Sequence, residues 1–337
     1  MSTSRTGGKG KKKRYKLRYD RIIAVGVVFI IIIVMLVSCI GSCSDKNNES
    51  SSEISSESVQ TQTENTSLPV SEITSETSAT QPATENSGYT VQKLEYSEIS
   101  KGDLVLVNKT YEYKFTEDLD IVDIYSHKNE YYTVKDMEVS LESNVINQLN
   151  AMMEAFHKEK NNNDIRVIDA YRSKEEQDKQ VSGNKTDVTG GYSDYNTARS
   201  FALGSFPADG TSYYLLDEGD YSWIYDNMQN YGFILRYPVS KDLITGIPSS
   251  TYRFRYVGVP HAIYMAQNNL TLEEYIENIK SYNKDTPLKV TDGTKSYNIY
   301  YVSANENSVT EVPVPSDKTY TISGNNTDGF IVTVTLN

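Results

Sequence analysis

Residues Ile22 to Ile40 (IIAVGVVFIIIIVMLVSCI) carry no charge and are dominated by Ile and Val. The run is close to the roughly 20 apolar residues that cross a bilayer as a helix, and a helix apolar on every face is rarely found at the surface of a soluble domain. Lys9, Lys11, Lys12, Lys13, Arg14, Lys16, Arg18 and Arg21 precede it, and polar or acidic residues beginning with Asp45 follow it. Because Lys and Arg gather on the cytoplasmic flank of a span, the sequence predicts a basic cytoplasmic tail (1–21), a transmembrane anchor (22–43) and an extracytoplasmic remainder. Short basic clusters also bind nucleic acid, but the adjacent apolar run favours topology, so the lipid bilayer is an expected partner and nucleic acid is not.

Leu36-Val37-Ser38-Cys39 also resembles the lipobox of bacterial lipoproteins, which would make Cys39 a lipidated N-terminus after cleavage. The long basic region and an apolar stretch longer than the roughly 7–15 residues of a signal peptide favour an uncleaved anchor. Cys39 and Cys43 are the only cysteines, so the exported part forms no internal disulfide and must stand on its core. Residues 44–90 are rich in Ser, Thr and Glu with few large apolar side chains, the composition of a disordered acidic stalk. That stalk is itself acidic, with one Lys against eight Asp and Glu in a chain of net charge -12.

Globular composition begins near Val91. Leu104 to Val107 reads as a short strand. Val145, Leu149, Met152 and Phe156 recur at helical spacing within 140–160, and Asp164 to Tyr171 alternates as a half-buried strand. Ser173 with Glu176 and Thr271 with Glu274 are capping boxes that open helices, the second running through Tyr282. A helix with Tyr221, Ile224, Met228 and Tyr231 on one face is expected to stop at Gly232. Phe233 to Tyr237 and Arg253 to Val257 read as strands. In 286–337, Asn298 to Val302, Thr319 to Ser323 and Phe330 to Leu336 read as strands of a small all-β appendage.

Tyr171-Arg172-Ser173 with Glu176-Gln177, then Tyr192-Ser193-Asp194-Tyr195, then Tyr231 to Pro238 (YGFILRYP), then Phe254 to Gly258 (FRYVG) resemble, in this order, the VanY-type D-alanyl-D-alanine carboxypeptidases. These zinc peptidases trim the terminal D-alanine of peptidoglycan stem peptides. The resemblance covers about 137–282 and implies an α+β domain, placed at 91–285, with a small antiparallel sheet and helices packed on it around a shallow cleft.

The family's zinc ligands and general base lie in segments of the form S-x-H-x-x-G-x-A-x-D and E-x-W-H. Aligned on Ser193, Tyr195 stands at the first His, Ala198 at the Gly and Ala202 at the Asp; aligned on FRYVG, Ser250 stands at the general base and Arg253 at the second His. A catalytic zinc needs three lone-pair donors and an open position. Ala202 has no donor, a guanidinium only donates and is permanently charged, and a phenol with a reference pKa of about 10 is a poor ligand. The expectation is therefore no catalytic residue, no metal ligand and no zinc. His127, His157 and His261 show no ligand spacing: His157 is expected to be a solvated surface residue, and His261 to pack or hydrogen bond. Ser193 has no accompanying base motif and makes no nucleophile.

In the family the Tyr-Arg-Ser and the following Gln help to hold the substrate peptide and its carboxylate, which implies substrate-binding roles for Tyr171, Arg172, Ser173, Gln177 and Ser193. Ser173 is equally a helix cap, and Arg172 equally a partner of Asp169. Arg253 leaves a fixed positive charge near the lost metal, in a cleft shared with Tyr195 and Tyr252, able to attract an anionic peptide terminus. Alternatively Arg253 fills the vacated space and pairs with Asp194. The function expected is that of a membrane-tethered, catalytically silent carboxypeptidase relative that binds peptidoglycan stem peptides or a cell-wall partner enzyme. The alternatives are an active zinc carboxypeptidase with ligands elsewhere and a structural or adhesive surface protein.

Overall fold

The fold of residues 88–336 is described by a computed structural model. The expected basic tail, the expected anchor at 22–43 and the expected stalk as far as residue 87 lie outside the described residues. Among the described residues no helix is long and apolar enough to cross a membrane.

The chain runs through β1 (Tyr89–Leu94), β2 (Ile121–Asp123), α1 (Ile124–His127), β3 (Thr133–Val134), β4 (Ser140–Glu142) and α2 (Ser143–Lys160). It continues through β5 (Ile165–Asp169), α3 (Lys174–Ser182), β6 (Ser200–Ser205), β7 (Tyr213–Tyr214), α4 (Ser222–Asn227) and β8 (Phe233–Tyr237). Next come α5 (Asp242–Thr245), β9 (Ser250–Tyr256), α6 (Val259–Asn268) and α7 (Leu272–Ile279). The last strands are β10 (Leu288–Thr291), β11 (Ser296–Ser303), β12 (Thr310–Pro315), β13 (Tyr320–Gly324) and β14 (Gly329–Thr335). The architecture is α+β.

The central sheet has the order β3-β5-β6-β9-β8, with β7 paired to β6. Its pairs are antiparallel except β3 with β5, a departure from an all-antiparallel sheet. Alternation sorts its two faces. Ile165, Val167, Phe201, Leu203, Phe233, Phe254 and Tyr256 share one buried cluster with Val145, Leu149, Met152 and Phe156 of α2. Phe201 meets Phe233 edge-on at 5.2 Å and stacks on Phe254 at 5.7 Å, which fixes the order of the middle strands. The intervening residues Ser200, Ala202, Arg253 and Arg255 therefore point to the opposite face.

Both capping boxes are present, with Ser173 and Thr271 accepting from the backbone N–H of Glu176 and Glu274. The helix opened by Thr271 ends at Ile279, short of Tyr282. The helix expected across Tyr221 to Tyr231 is broken: only Ser222–Asn227 is α-helical, with single 3-10 turns on either side, and Gly232 at φ +82° makes the stop. Leu104 to Val107 are buried but form no strand. Their carbonyls are taken by guanidinium groups, Val105 O accepting from Arg255 and Val107 O from Arg236. An apolar run thus stays buried without a ladder because arginines satisfy its backbone.

The strands of 286–337 form the sheet β10-β11-β14-β13, while β12 pairs with β1 from the other end of the described chain. They share buried clusters with the rest of the domain, Leu288, Val290, Ile299 and Ile331 packing with Leu272, Tyr275 and Ile276 of α7. His261 of α6 sits at this junction, buried, with Nδ1 2.6 Å from the Tyr275 hydroxyl and Nε2 3.0 Å from the Thr333 hydroxyl. Packing and hydrogen bonding are its role, as its place in the sequence suggests.

Burial lowers the His261 pKa to about 4, against a smaller opposing pull from Asp103. Since the unfolded imidazole titrates near 6.5, the unfolded chain binds the extra proton between these values, so stability falls as pH drops from about 6.5 to about 4. The expected loss is about 3 kcal/mol. Denaturant midpoints measured from pH 7 to pH 4 check it: His261→Gln is expected to flatten the slope, and an unchanged slope in that variant sinks the assignment.

Candidate active-site cleft

The polar face of the central sheet forms the floor of a cleft of about 710 Å³. Register places Asp169 of β5, Ala202 of β6 and Arg253 of β9 in one row across three strands. Tyr195 enters from the turn Asp194–Thr197, and the Arg253 guanidinium lies 3.9 Å from its ring centroid. Tyr237 flanks the same guanidinium at 5.0 Å, and Arg172 approaches Tyr195 at 4.6 Å. Tyr195, Ala202 and Arg253 thus converge on one cleft, although Arg253 is distant in sequence from the other two. The pairing of β8 with β9 is irregular between Leu235 and Tyr237, where Ser250 opposes Tyr237; such irregularities re-aim side chains beside sites.

A buried ionic cluster holds the Tyr195 turn. Asp194 is fully buried and accepts from Arg255 at 2.7 Å, lies 3.2 Å from Nε of Arg236, and accepts from the Ser200 hydroxyl. Arg236 also pairs with Glu273 at 2.8 Å. Burial alone would raise the Asp194 pKa, but Arg255 and then Arg236 outweigh it and hold the carboxyl below its ordinary range. Arg253 therefore does not pair with Asp194, whose oxygens are already taken by residues on neighbouring strands.

Among the described residues Arg253 has neither a carboxylate nor a hydrogen-bond partner, and its buried Nε and the buried Ser250 hydroxyl are both unsatisfied. Arg172, by contrast, is bound to Asp169 and donates to Gln177 at 2.9 Å. Lys135, Arg166, Arg172, Lys185 and Arg253 face the cleft against Asp169 and Asp187, so it is cationic in a chain of net charge -12. Asp187 is itself paired with Lys109 at 2.8 Å.

The zinc that the resemblance implies finds no suitable donor set in these residues. Tyr195 is buried, and that burial pushes its phenol well above the ordinary range despite Arg253 beside it, so no phenolate is on offer. Ala202 has a methyl group, and Arg253 has donors only. Among the described residues no group of three His, Cys, Asp or Glu side chains is placed to hold a metal ion.

Of the residues expected to bind substrate, Arg172, Gln177, Ser193 and Arg253 line the cleft. Tyr171 and Ser173 are outside the lining, Ser173 being engaged as the cap of α3. Ser250 is outside it too, at the start of β9. His157 is not the free surface residue expected of it: it is half-buried and stacks on Tyr131 at 4.8 Å. Tyr252 lines the cleft as expected and stacks on Tyr214 at 4.0 Å. Lys135, Lys185, Phe206, Tyr214 and Tyr237 were not foreseen. Only Tyr237 carried a signal, as the last residue of a strand adjoining β9.

The family model for VanY, described as D-alanyl-D-alanine carboxypeptidase, matches residues 138–259. A D-alanyl-D-alanine carboxypeptidase of Enterococcus faecium is 32% identical over 242 residues, spanning 70% of this chain and 76% of the relative. The putative carboxypeptidase YodJ of Bacillus subtilis is 28% identical over 234 residues, spanning 58% of this chain and 79% of its own. Among solved structures, the vancomycin-resistance D,D-dipeptidase VanXYg in complex with a D-Ala-D-Ala phosphinate analogue aligns with a TM-score of 0.63 at 29% identity, over 74% of this chain and 99% of that one. With a carboxypeptidase 32% identical and matched over more than two-thirds of its length, the chain belongs to the VanY family of D-alanyl-D-alanine carboxypeptidases.

Proposed function

We propose that this chain is a catalytically silent VanY-family protein that binds peptidoglycan stem peptides, held on the outer side of the cell membrane by residues 22–43 and spaced from it by the acidic segment 44–90. The observation that carries the proposal is the convergence of Tyr195, Ala202 and Arg253 on one cleft. These positions align with the family's zinc ligands, and none offers the ion a usable lone pair. Without a bound ion nothing lowers the pKa of water from about 15.7 toward 7, and Ser250, at the place of the general base, cannot take up a proton at neutral pH.

Binding is supported by what remains: an open cationic cleft lined by Arg172, Gln177 and Ser193, together with the D-Ala-D-Ala analogue held by the VanXYg relative. Anchoring is supported by the uncharged run 22–40 behind a basic flank. A cell-wall enzyme that presents an acidic segment is the other partner this charge would suit.

The test is zinc content of the purified protein together with D-alanine release from a stem pentapeptide. No zinc above background and no release are expected; stoichiometric zinc with turnover would overturn the proposal.

A further inference from the structure

We infer that Arg253 receives the terminal carboxylate of the bound peptide, so that the cleft prefers a stem peptide that has already lost its last residue over the full-length one. The inference rests on the stem-binding function proposed above and adds which form of the stem is recognised.

Two guanidinium groups lie against Tyr195, at 4.6 Å for Arg172 and 3.9 Å for Arg253. They are not equivalent. Arg172 is already neutralised by Asp169 and fixed by Gln177. Arg253 is clamped between the Tyr195 and Tyr237 rings with no acid and, among the described residues, no hydrogen-bond acceptor. A buried unsatisfied donor is costly, and the residue that carries it also lines the cleft. The rings hold the fork in place, so little further rotamer freedom is lost when an anion binds.

The place of Arg253 then sets the length of the ligand. In a metallopeptidase the ion polarises the carbonyl of the bond to be cut, so a residue standing at a ligand of that ion stands beside that carbonyl carbon. In a full-length stem the carbon belongs to a neutral amide, whose N–H would face a group that can only donate. In a stem shortened by one residue the same carbon is a free carboxylate, the bidentate match of a guanidinium. The extra residue of the full-length stem would also bring its own carboxylate to Arg172, where Asp169 already sits. A bidentate bond between opposite charges in place of a bond to a neutral carbonyl corresponds to a preference of about tenfold or more. The ligand is then the product of a carboxypeptidase reaction, which a different, active enzyme must supply.

The experiment is calorimetric titration of the full-length chain with three soluble stem peptides: one ending in a single D-alanine, the same peptide as its terminal carboxamide, and one ending in D-Ala-D-Ala. The first is expected to bind at least about tenfold more tightly than either of the others, and Arg253→Gln to abolish that advantage. Equal binding of acid and amide, or a preference for D-Ala-D-Ala, overturns the inference and leaves stem binding intact. Binding of none of the three overturns stem binding itself. If Arg253→Gln fails a thermal-unfolding control, the acid-against-amide comparison on the unaltered chain, with Arg253→Lys as the charge-keeping variant, decides the matter.

Discussion

Asp194→Ala is expected to lower the stability of the folded domain by about 3–5 kcal/mol, the loss typical when one member of a buried ion pair is removed. Asp194 has no exposed surface, and both Arg255 and Arg236, themselves buried, direct nitrogen atoms at it. Removing the carboxylate leaves Arg255 with only backbone carbonyls and returns to Arg236 an uncompensated Nε. Against a total of about 5–15 kcal/mol for an ordinary domain, such a loss brings the chain close to unfolding. Urea denaturation of Asp194→Ala and Asp194→Asn measures it; a loss under about 1 kcal/mol would mean that neighbouring groups rearrange and that the cluster does not hold the Tyr195 turn. The pH dependence separates this carboxylate from His261. Its pKa is depressed on folding, so its contribution is intact above the unfolded value near 3.9 and is lost only as pH falls through the still lower folded value. Between pH 6.5 and pH 4 the part of the slope that His261→Gln removes belongs to His261.

The second large effect is a gain. The triple variant Tyr195→His, Ala202→Asp and Arg253→His is expected to take up zinc with micromolar affinity or better, about 8 kcal/mol, and the native chain is expected to take up none. The three positions already converge on the cleft, Ala202 and Arg253 being paired across β6 and β9 and Tyr195 packed against Arg253. Two imidazoles and a carboxylate with an open fourth position form a donor set that zinc accepts. Single changes are expected to do nothing of the kind. Ala202→Asp alone sets a carboxylate beside the Arg253 guanidinium, and the two charges satisfy each other. Competition of each variant against a zinc-binding dye gives the answer, and a folded triple variant without zinc would refute the alignment of these positions. Turnover additionally requires Ser250→Glu, since zinc uptake alone supplies no group to accept the proton.

Much of the central sheet and its packing helix was legible because alternation and helical spacing are enforced by one buried face. Val145, Leu149, Met152 and Phe156 meet Phe201 and Phe254 because both periods point apolar side chains inward. The cleft was legible by resemblance and not by pattern, since a Tyr, an Ala and an Arg have no spacing rule of their own. What stayed hidden has specific causes. Leu104 to Val107 have the composition of a strand, and nothing local reveals that Arg236 and Arg255 would satisfy their carbonyls. Strand β12 carries Pro313 and Pro315, which argue against a strand, yet its pairing with the single strand β1 tolerates them. Asp194 was a plausible partner for Arg253 because the sequence does not show that Arg255, two residues along the same face, is the one that reaches it.

The pairing of β1 with β12 bears on how the chain is made. Gln92 of β1 contacts Tyr320 across 228 residues of sequence, and Ser316 returns to Gly88 over the same span. A chain emerging N-terminus first must hold Tyr89 to Leu94 unpaired until Thr310 to Pro315 arrive, more than 200 residues later. Contacts of such long separation form late and slowly, and an unpaired strand is an edge that other chains can join. Any product that stops short of this ladder therefore leaves Tyr89 to Leu94 without their partner strand.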